Sequence, residues 1–195
     1  KIKTSLSLDV QQTTEKIVKE EIAKLKDFNA TNAAVVVLDS KTGEILAMVG
    51  SYDFNDEKFG KFNVAELGER QPGSTLKPFT YGLAFEKGYT PSSIFMYVKT
   101  TFPDQGTEDY APVNYDGKFR GPVQLRFALG NSINLPAVKS LAVLGVRDFL
   151  TKLNDLGMPT FAPNSENLKR FGLSLTLGGG ETTLLNLTSA YSVLA

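Results

Sequence analysis

The sequence predicts an α+β fold, layers of helix around a small antiparallel sheet, and three observations predict it. An amphipathic run follows Asp9, two apolar β-branched runs flank a Gly-bearing turn at 39–43, and helix-like segments dominate the chain after residue 123. Composition agrees: 195 residues with 42% apolar, 22% charged and 10% aromatic side chains are enough to bury a core.

The elements follow in order. Residues 1–8 alternate (Ile2, Thr4, Leu6, Leu8) like a linker strand, and 9–195 form the core of one domain. Asp9 is placed to cap a helix from Val10 to about Lys26, with Gln12 as capping-box partner and an apolar stripe of Val10, Ile17, Val18, Ile22 and Leu25. Ala33–Leu38 and Glu44–Val49 read as a hairpin around Asp39-Ser40-Lys41-Thr42-Gly43. Its strands are apolar enough to be covered on both faces. Residues 51–72 are polar and irregular. A helix runs from near Ser74 to Lys87, carrying Leu76, Phe79, Leu83 and Phe85, and Gly88 ends it. The proline- and glycine-bearing stretch 89–122 reads as a long loop of the kind that carries function. Helices at Gln124–Leu129 and Leu135–Leu144 flank a break at Gly130-Asn131. Another spans Arg147–Leu156, and Thr182 or Thr183 caps a last one.

Charge excludes some partners. Twenty-one basic residues balance twenty-one acidic ones without a basic block, which argues against nucleic acid or an anionic membrane surface. With neither His nor Cys, a zinc or other soft-metal site lacks its ligands. The absence of Cys leaves the compartment open. No apolar run of about 18 residues and no signal-peptide layout is present, so any anchor or export signal is expected outside this chain.

The same absence of His and Cys narrows nucleophilic chemistry, and a Ser/Lys pair is one arrangement left. Ser74 and Lys77 stand three apart at the start of a helix, where Cβ atoms lie roughly 5–6 Å apart. Spacing alone also fits an N-cap serine followed by a solvated lysine. Pro72-Gly73 before the pair and apolar Leu76, Phe79 and Leu83 after it favour a buried helix, in which desolvation lowers the lysine pKa toward that of a base. Pro78 disfavours αR geometry at Lys77 and confines Ser74 to the helix N-terminus, where N–H groups and the helix dipole favour an oxyanion. Downstream, Gly130-Asn131-Ser132-Ile133-Asn134-Leu135-Pro136 offers a hydroxyl and a carboxamide on a turn into a helix. They are either plain caps, or a proton relay at Ser132 and a substrate-gripping amide at Asn134. Ser165-Glu166-Asn167 repeats the pattern in a polar loop without apolar neighbours and is set aside.

In this order, Ser-x-x-Lys followed by Ser-x-Asn resembles the penicillin-recognising acyltransferases. Longer words resemble the transpeptidase domain of class A penicillin-binding proteins, the bifunctional peptidoglycan synthases. They are Arg70-Gln71-Pro72-Gly73-Ser74-Thr75-Leu76-Lys77-Pro78-Phe79, Asn114-Tyr115-Asp116-Gly117 through Arg120-Gly121-Pro122-Val123 to Ala137-Val138, Asp39 to Gly50, and Leu177-Gly178-Gly179-Gly180-Glu181. The resemblance implies a penicillin-binding protein/serine β-lactamase-like fold. It implies a D,D-transpeptidase in which Ser74 is the nucleophile, Lys77 the base, Ser132 the proton relay and Asn134 a substrate binder, without cofactor or metal. Implied partners are peptidoglycan stem peptides ending in D-Ala-D-Ala, β-lactams, and the remainder of the transpeptidase domain in the same or a separate chain. The full-length protein would be membrane-anchored with a glycosyltransferase domain, at the extracytoplasmic face of a bacterial plasma membrane.

Two departures bear on this. The family's Lys-Thr-Gly or Lys-Ser-Gly motif does not occur after Asn134, so residues 1–195 are expected to be the N-terminal two-thirds of such a domain. Lys41-Thr42-Gly43 spells the motif but reads as turn chemistry. Phe127 stands where relatives often carry an acidic residue. A non-catalytic β-lactam or peptidoglycan sensor, and a serine β-lactamase with Glu166 as its only visible deacylating group, remain as alternatives.

Overall fold

A computed structural model describes residues 1–103, 109–114 and 116–195. Part of the long loop read at 89–122 (104–108) and Tyr115 of one family word lie outside the described residues. In chain order the elements are α1 (Leu8–Lys24), β1 (Val35–Leu38), β2 (Ile45–Val49), α2 (Val64–Leu67), α3 (Lys77–Glu86), β3 (Ile94–Tyr97), β4 (Gly121–Gln124), α4 (Leu125–Gly130), α5 (Asn134–Leu144), α6 (Val146–Asp155), α7 (Ser165–Arg170) and α8 (Leu184–Ser192). Short 3₁₀ turns at Lys26–Phe28, Gly73–Leu76, Pro159–Phe161 and Leu173–Leu177 punctuate them. The predicted α+β class is the observed one, but the described residues form two separate two-stranded antiparallel sheets, not a single sheet.

The chain divides into two compact units. The first holds residues 1–70, 156–158 and 181–195. Residues 1–7 do not form the strand that their alternation suggests, although Ser7 N–H donates to Leu46 O (2.9 Å) and the Ser5 hydroxyl to Ile45 O (2.8 Å). Helix α1 starts earlier than read, with Ser7 and not Asp9 at its cap position and no capping side chain. Its buried face is Thr14, Val18 and Ile22, one every four residues, whereas Ile17 and Leu25 of the predicted stripe are exposed. Gln11, not Gln12, does the polar work. Its amide accepts from Met48 N–H (2.9 Å) and donates to Met48 O (3.1 Å), docking α1 on β2 as an added strand residue would.

The hairpin pairs Val35↔Val49, Val36↔Met48 and Val37↔Ala47, then shifts register to Leu38↔Ile45. It is less covered than its composition suggests: Ala47 and Val49 are buried, but β1 is half-buried throughout. Asp39 organises the turn, its carboxylate accepting from the N–H groups of Lys41 (2.8 Å) and Thr42 (2.9 Å). Gly43 takes φ +74° there, so Lys41-Thr42-Gly43 is turn chemistry, as its composition indicates. In the same unit α8 packs on β1 and α2, capped by Thr183, whose hydroxyl accepts from Asn186 N–H (3.2 Å).

The second unit holds residues 71–155 and 159–180 and carries the predicted site. Its centre is α5, where Leu135, Pro136, Ala137, Val138, Ser140, Leu141 and Leu144 are all buried. A helix covered on this many sides is a core helix, and α3, α4, α6, β3 and the 173–177 turn pack around it. Tyr81 of α3 joins Leu125, Ala128 and Ala137 in one cluster, flanked by Tyr89, Phe95, Val123, Ile133 and Leu177. The loop reading of 89–122 missed β3 and β4. Met96 pairs with Pro122 and Tyr97 with Gly121, and because this sheet has only edge strands, proline is tolerated in it.

Candidate active site

Gly73 opens the turn around Ser74 at φ +60°, a left-handed backbone that suits glycine. Residues 73–76 wind as a 3₁₀ turn directly into α3, so Ser74 and Lys77, at i and i+3, share a face. Lys77 keeps αR angles (φ −58°, ψ −39°) despite the following proline, and Pro78 occupies the helix's first turn, where its missing N–H costs nothing. Packing overrides the local preference at Lys77: Leu76, Lys77, Phe79 and Thr80 are all buried.

The turn is held from behind by residues 173–180. The Thr80 and Thr176 hydroxyls share a buried hydrogen bond of 2.7 Å. A side chain at Gly178 would place its Cβ 2.1 Å from Gly73 N and 2.2 Å from Gly73 Cα, and Gly178 itself sits at φ +86°. Only glycine fits such an approach of two backbones.

Lys77 is fully buried yet well satisfied. Nζ donates to Ser132 O (2.6 Å) and to Asn134 Oδ1 (2.7 Å), and lies 3.1 Å from the Ser132 hydroxyl. The two shorter contacts end on pure acceptors. The third meets a hydroxyl, a group that can donate or accept. Burial drives the Lys77 pKa down from 10.5 to about 8. Ser132 reaches this position in the left-handed region, φ +50°, a conformation that costs a non-glycine residue about 1 kcal/mol or more. The turn is pinned there by Ser132 N–H to Leu129 O (2.9 Å) and Ile133 N–H to Ala128 O (2.8 Å).

Asn134 is engaged at every polar group of its first helical turn position. Its Oδ1 accepts from Lys77, its Nδ2 donates to Val113 O (3.2 Å), and its backbone N–H donates to Asn114 Oδ1 (2.9 Å). The structure thus brings Lys77, Ser132 and Asn134 together. It places Ser74 on the same turn but exposed, with the Lys77 hydrogen bonds directed to Ser132 and Asn134.

A cleft of about 750 Å³ opens over this cluster, lined by Ser74, Ser132 and Asn134 together with Asn114, Asn131, Ile133, Val123, Phe127, Asp116 and Arg120. Asp116 and Arg120 pair across the loop. Phe127 is 58% exposed and lines the cleft. Asn114, Asp116 and Arg120 carried no role in the sequence reading beyond lying in a family word. The available signal was a polar asparagine in a long proline- and glycine-bearing loop. The set-aside pattern falls elsewhere: Ser165 and Glu166 are exposed in the first turn of α7, a helix and not the loop their composition suggests, and neither lines the cleft. Among the described residues no cluster of three or more carboxylates could hold a metal ion, and no helix is long and apolar enough to cross a membrane.

Comparison with known proteins fits this geometry. Residues 33–195 match the family described as penicillin binding protein transpeptidase domain. The chain is 36% identical over 197 residues to Penicillin-binding protein 1C of Escherichia coli K12, covering all of this chain and 24% of that protein. It is 39% identical over 165 residues to Penicillin-binding protein 1A of Neisseria gonorrhoeae, covering 83% of this chain and 19% of the relative. The crystal structure of Penicillin-Binding Protein 1A from Haemophilus influenzae superposes with a TM-score of 0.74 at 31% identity, over 84% of this chain and 23% of that one. The penicillin-binding protein PonA1 from Mycobacterium tuberculosis shares the fold, with a TM-score of 0.75 at 20% identity, over the whole of this chain and 49% of that one. The chain therefore spans a quarter or less of the curated relatives named here. It belongs to the penicillin-binding protein transpeptidase domain family, and relatives of the 1A and 1C kinds accord with the class A resemblance of its motifs.

Proposed function

We propose that this chain carries the acylation machinery of a peptidoglycan D,D-transpeptidase. The observation that supports it is Lys77: fully buried, its pKa lowered to about 8, and bonded to Ser132 and Asn134 one helical turn from a serine that lines an open cleft. In this reading Ser74 Oγ attacks the penultimate D-Ala carbonyl of a stem peptide and its proton passes to neutral Lys77. The Ser74 N–H, at the start of the helix, supplies one oxyanion donor. As the C–N bond breaks, Ser132 relays the proton to the departing D-Ala nitrogen, leaving an ester on Ser74. An amine of a neighbouring strand then attacks the ester, gives up its proton through the same relay, and Ser74 recovers its own. The second Nδ2 proton of Asn134 is left for a substrate carbonyl. β-Lactams would acylate Ser74 by the same route, with the ring nitrogen as tethered leaving group.

The second oxyanion donor and the group that binds the substrate carboxylate are proposed to come from the remainder of the domain. The whole protein is proposed to be an anchored, bifunctional synthase at the outer face of a bacterial plasma membrane. The test is to incubate the protein at its full natural length with a stem-peptide mimic ending in D-Ala-D-Ala and an acceptor amine. D-Ala release with cross-linked product, both lost in Ser74→Ala, is the expected result. Release and cross-linking that persist in Ser74→Ala contradict it.

A further inference from the structure

We propose that Asn114 is a positioning residue for the Lys77 base, acting through Asn134; this rests on the acyltransfer reading above. The segment 113–114 grips Asn134 at two points: Asn114 Oδ1 accepts the Asn134 backbone N–H (2.9 Å) and Val113 O accepts its side-chain N–H (3.2 Å). Asn134 N–H is one of the orphan donors at the start of α5, whose cap residue Ile133 has no side chain able to accept it. Asn114 supplies the missing cap from a distant loop and fixes the helix end in the same act. With the backbone and Nδ2 held, the Asn134 amide is constrained to present Oδ1 to Lys77, at 2.7 Å.

The loop that carries Asn114 is itself held at buried Tyr97. The Tyr97 hydroxyl in turn donates to Lys118 O, tying the loop to β3. Asn114, Asn134 and Lys77 thus form a continuous hydrogen-bonded chain from the loop to the base.

Burial, not a neighbouring charge, is the cause of the lowered Lys77 pKa. Asp116 and Arg120 in the cleft wall pair with each other; Arg126 donates to Ser92 Oγ (2.5 Å) and Lys139 to Met96 O (2.6 Å). The α6 charges Asp148 and Lys152 pair with Lys87 and Glu86, at the far end of α3 from Lys77.

The experiment measures the rate of Ser74 acylation by a fluorescent penicillin against pH, in the full-length protein, for the wild type and three variants. Asn114→Leu removes the acceptor and should lower the plateau rate about tenfold or more. Its acid limb should move to lower pH, because ammonium Lys77 loses a fixed acceptor. Asn114→Asp keeps the acceptor and should retain most of the plateau. Its acid limb should shift upward by roughly half a pH unit or more, because a carboxylate close by favours the ammonium. Asn164→Ala removes a comparable cap, the acceptor of Asn167 N–H outside the cleft, and should leave the profile in place. A profile in Asn114→Asp that superposes on the wild type overturns the proposal, even if Asn114→Leu fails to fold. A wild type that is acylated while both Asn114 variants match it removes this inference alone. A wild type that is never acylated removes it together with the reading it rests on.

Discussion

The second unit contains the same three-residue pattern twice, and the two copies put it to opposite uses. In Ser132-Ile133-Asn134 the serine sits at φ +50° and turns its carbonyl toward Lys77, and the asparagine amide accepts from the same amine. In Ser165-Glu166-Asn167 the serine opens an ordinary helix. Its asparagine is buried against its own loop, Nδ2 donating to Thr160 O (2.9 Å) and Ala162 O (2.8 Å) and the backbone N–H donating to Asn164 Oδ1 (2.8 Å). One amide closes a loop and the other faces a desolvated amine. The pattern of residue types does not distinguish them; the partner each amide meets does.

Removing the amine should break the contrast most severely. Lys77→Ala is expected to slow acylation by a fluorescent penicillin on the order of 10³-fold, within the range of general-base contributions. Lys169→Ala, in α7, should leave the rate unchanged. The paired asparagines sharpen it. Asn134→Ala should slow acylation by about 10–100-fold with the fold intact. Asn167→Ala should leave acylation of the folded protein within about twofold of wild type but cost roughly 1–3 kcal/mol in urea unfolding, by removing two hydrogen bonds to part-buried carbonyls. Gly178→Ala should do both in part, slowing acylation about tenfold and lowering stability, because its Cβ collides with the Gly73 backbone behind Ser74.

A smaller effect follows from linkage. The Lys77 pKa is lower folded (about 8) than its ordinary 10.5, so the unfolded chain binds more protons between these values. Stability should therefore rise as pH climbs from about 8 to 10.5, by on the order of 3 kcal/mol in full, and Lys77→Met should abolish that rise in unfolding measurements. The smallest expected change is Tyr81→Phe. The Tyr81 hydroxyl is buried without a hydrogen-bond partner among the described residues, so its loss should leave the melting temperature unchanged or slightly higher.

Much of the frame was legible in the sequence because it is local. The hairpin turn at 39–43, the helix after Ser74 and the break before α5 each depend on glycine, proline and apolar spacing within a few residues. Lys77 was legible as buried because Leu76, Phe79 and Leu83 surround it in sequence. What escaped depends on distant contacts. The β3–β4 pair joins segments more than twenty residues apart and hides a proline in an edge strand. The true cap of α5 comes from Asn114, twenty residues upstream, and α1 is docked on β2 by Gln11 reaching Met48. The close approach of Gly178 to Gly73 has no local signature beyond a run of glycines.

The most direct measurement is the site of the covalent adduct. The full-length protein is reacted with a labelled penicillin at pH 8.5, above the Lys77 midpoint of about 8, and the modified peptide is mapped by mass spectrometry. The predicted result is one ester on Ser74, undiminished in Ser165→Ala and absent in Ser74→Ala. An adduct that maps to another residue, or that survives in Ser74→Ala, contradicts the assignment of Ser74 as nucleophile and Lys77 as its base.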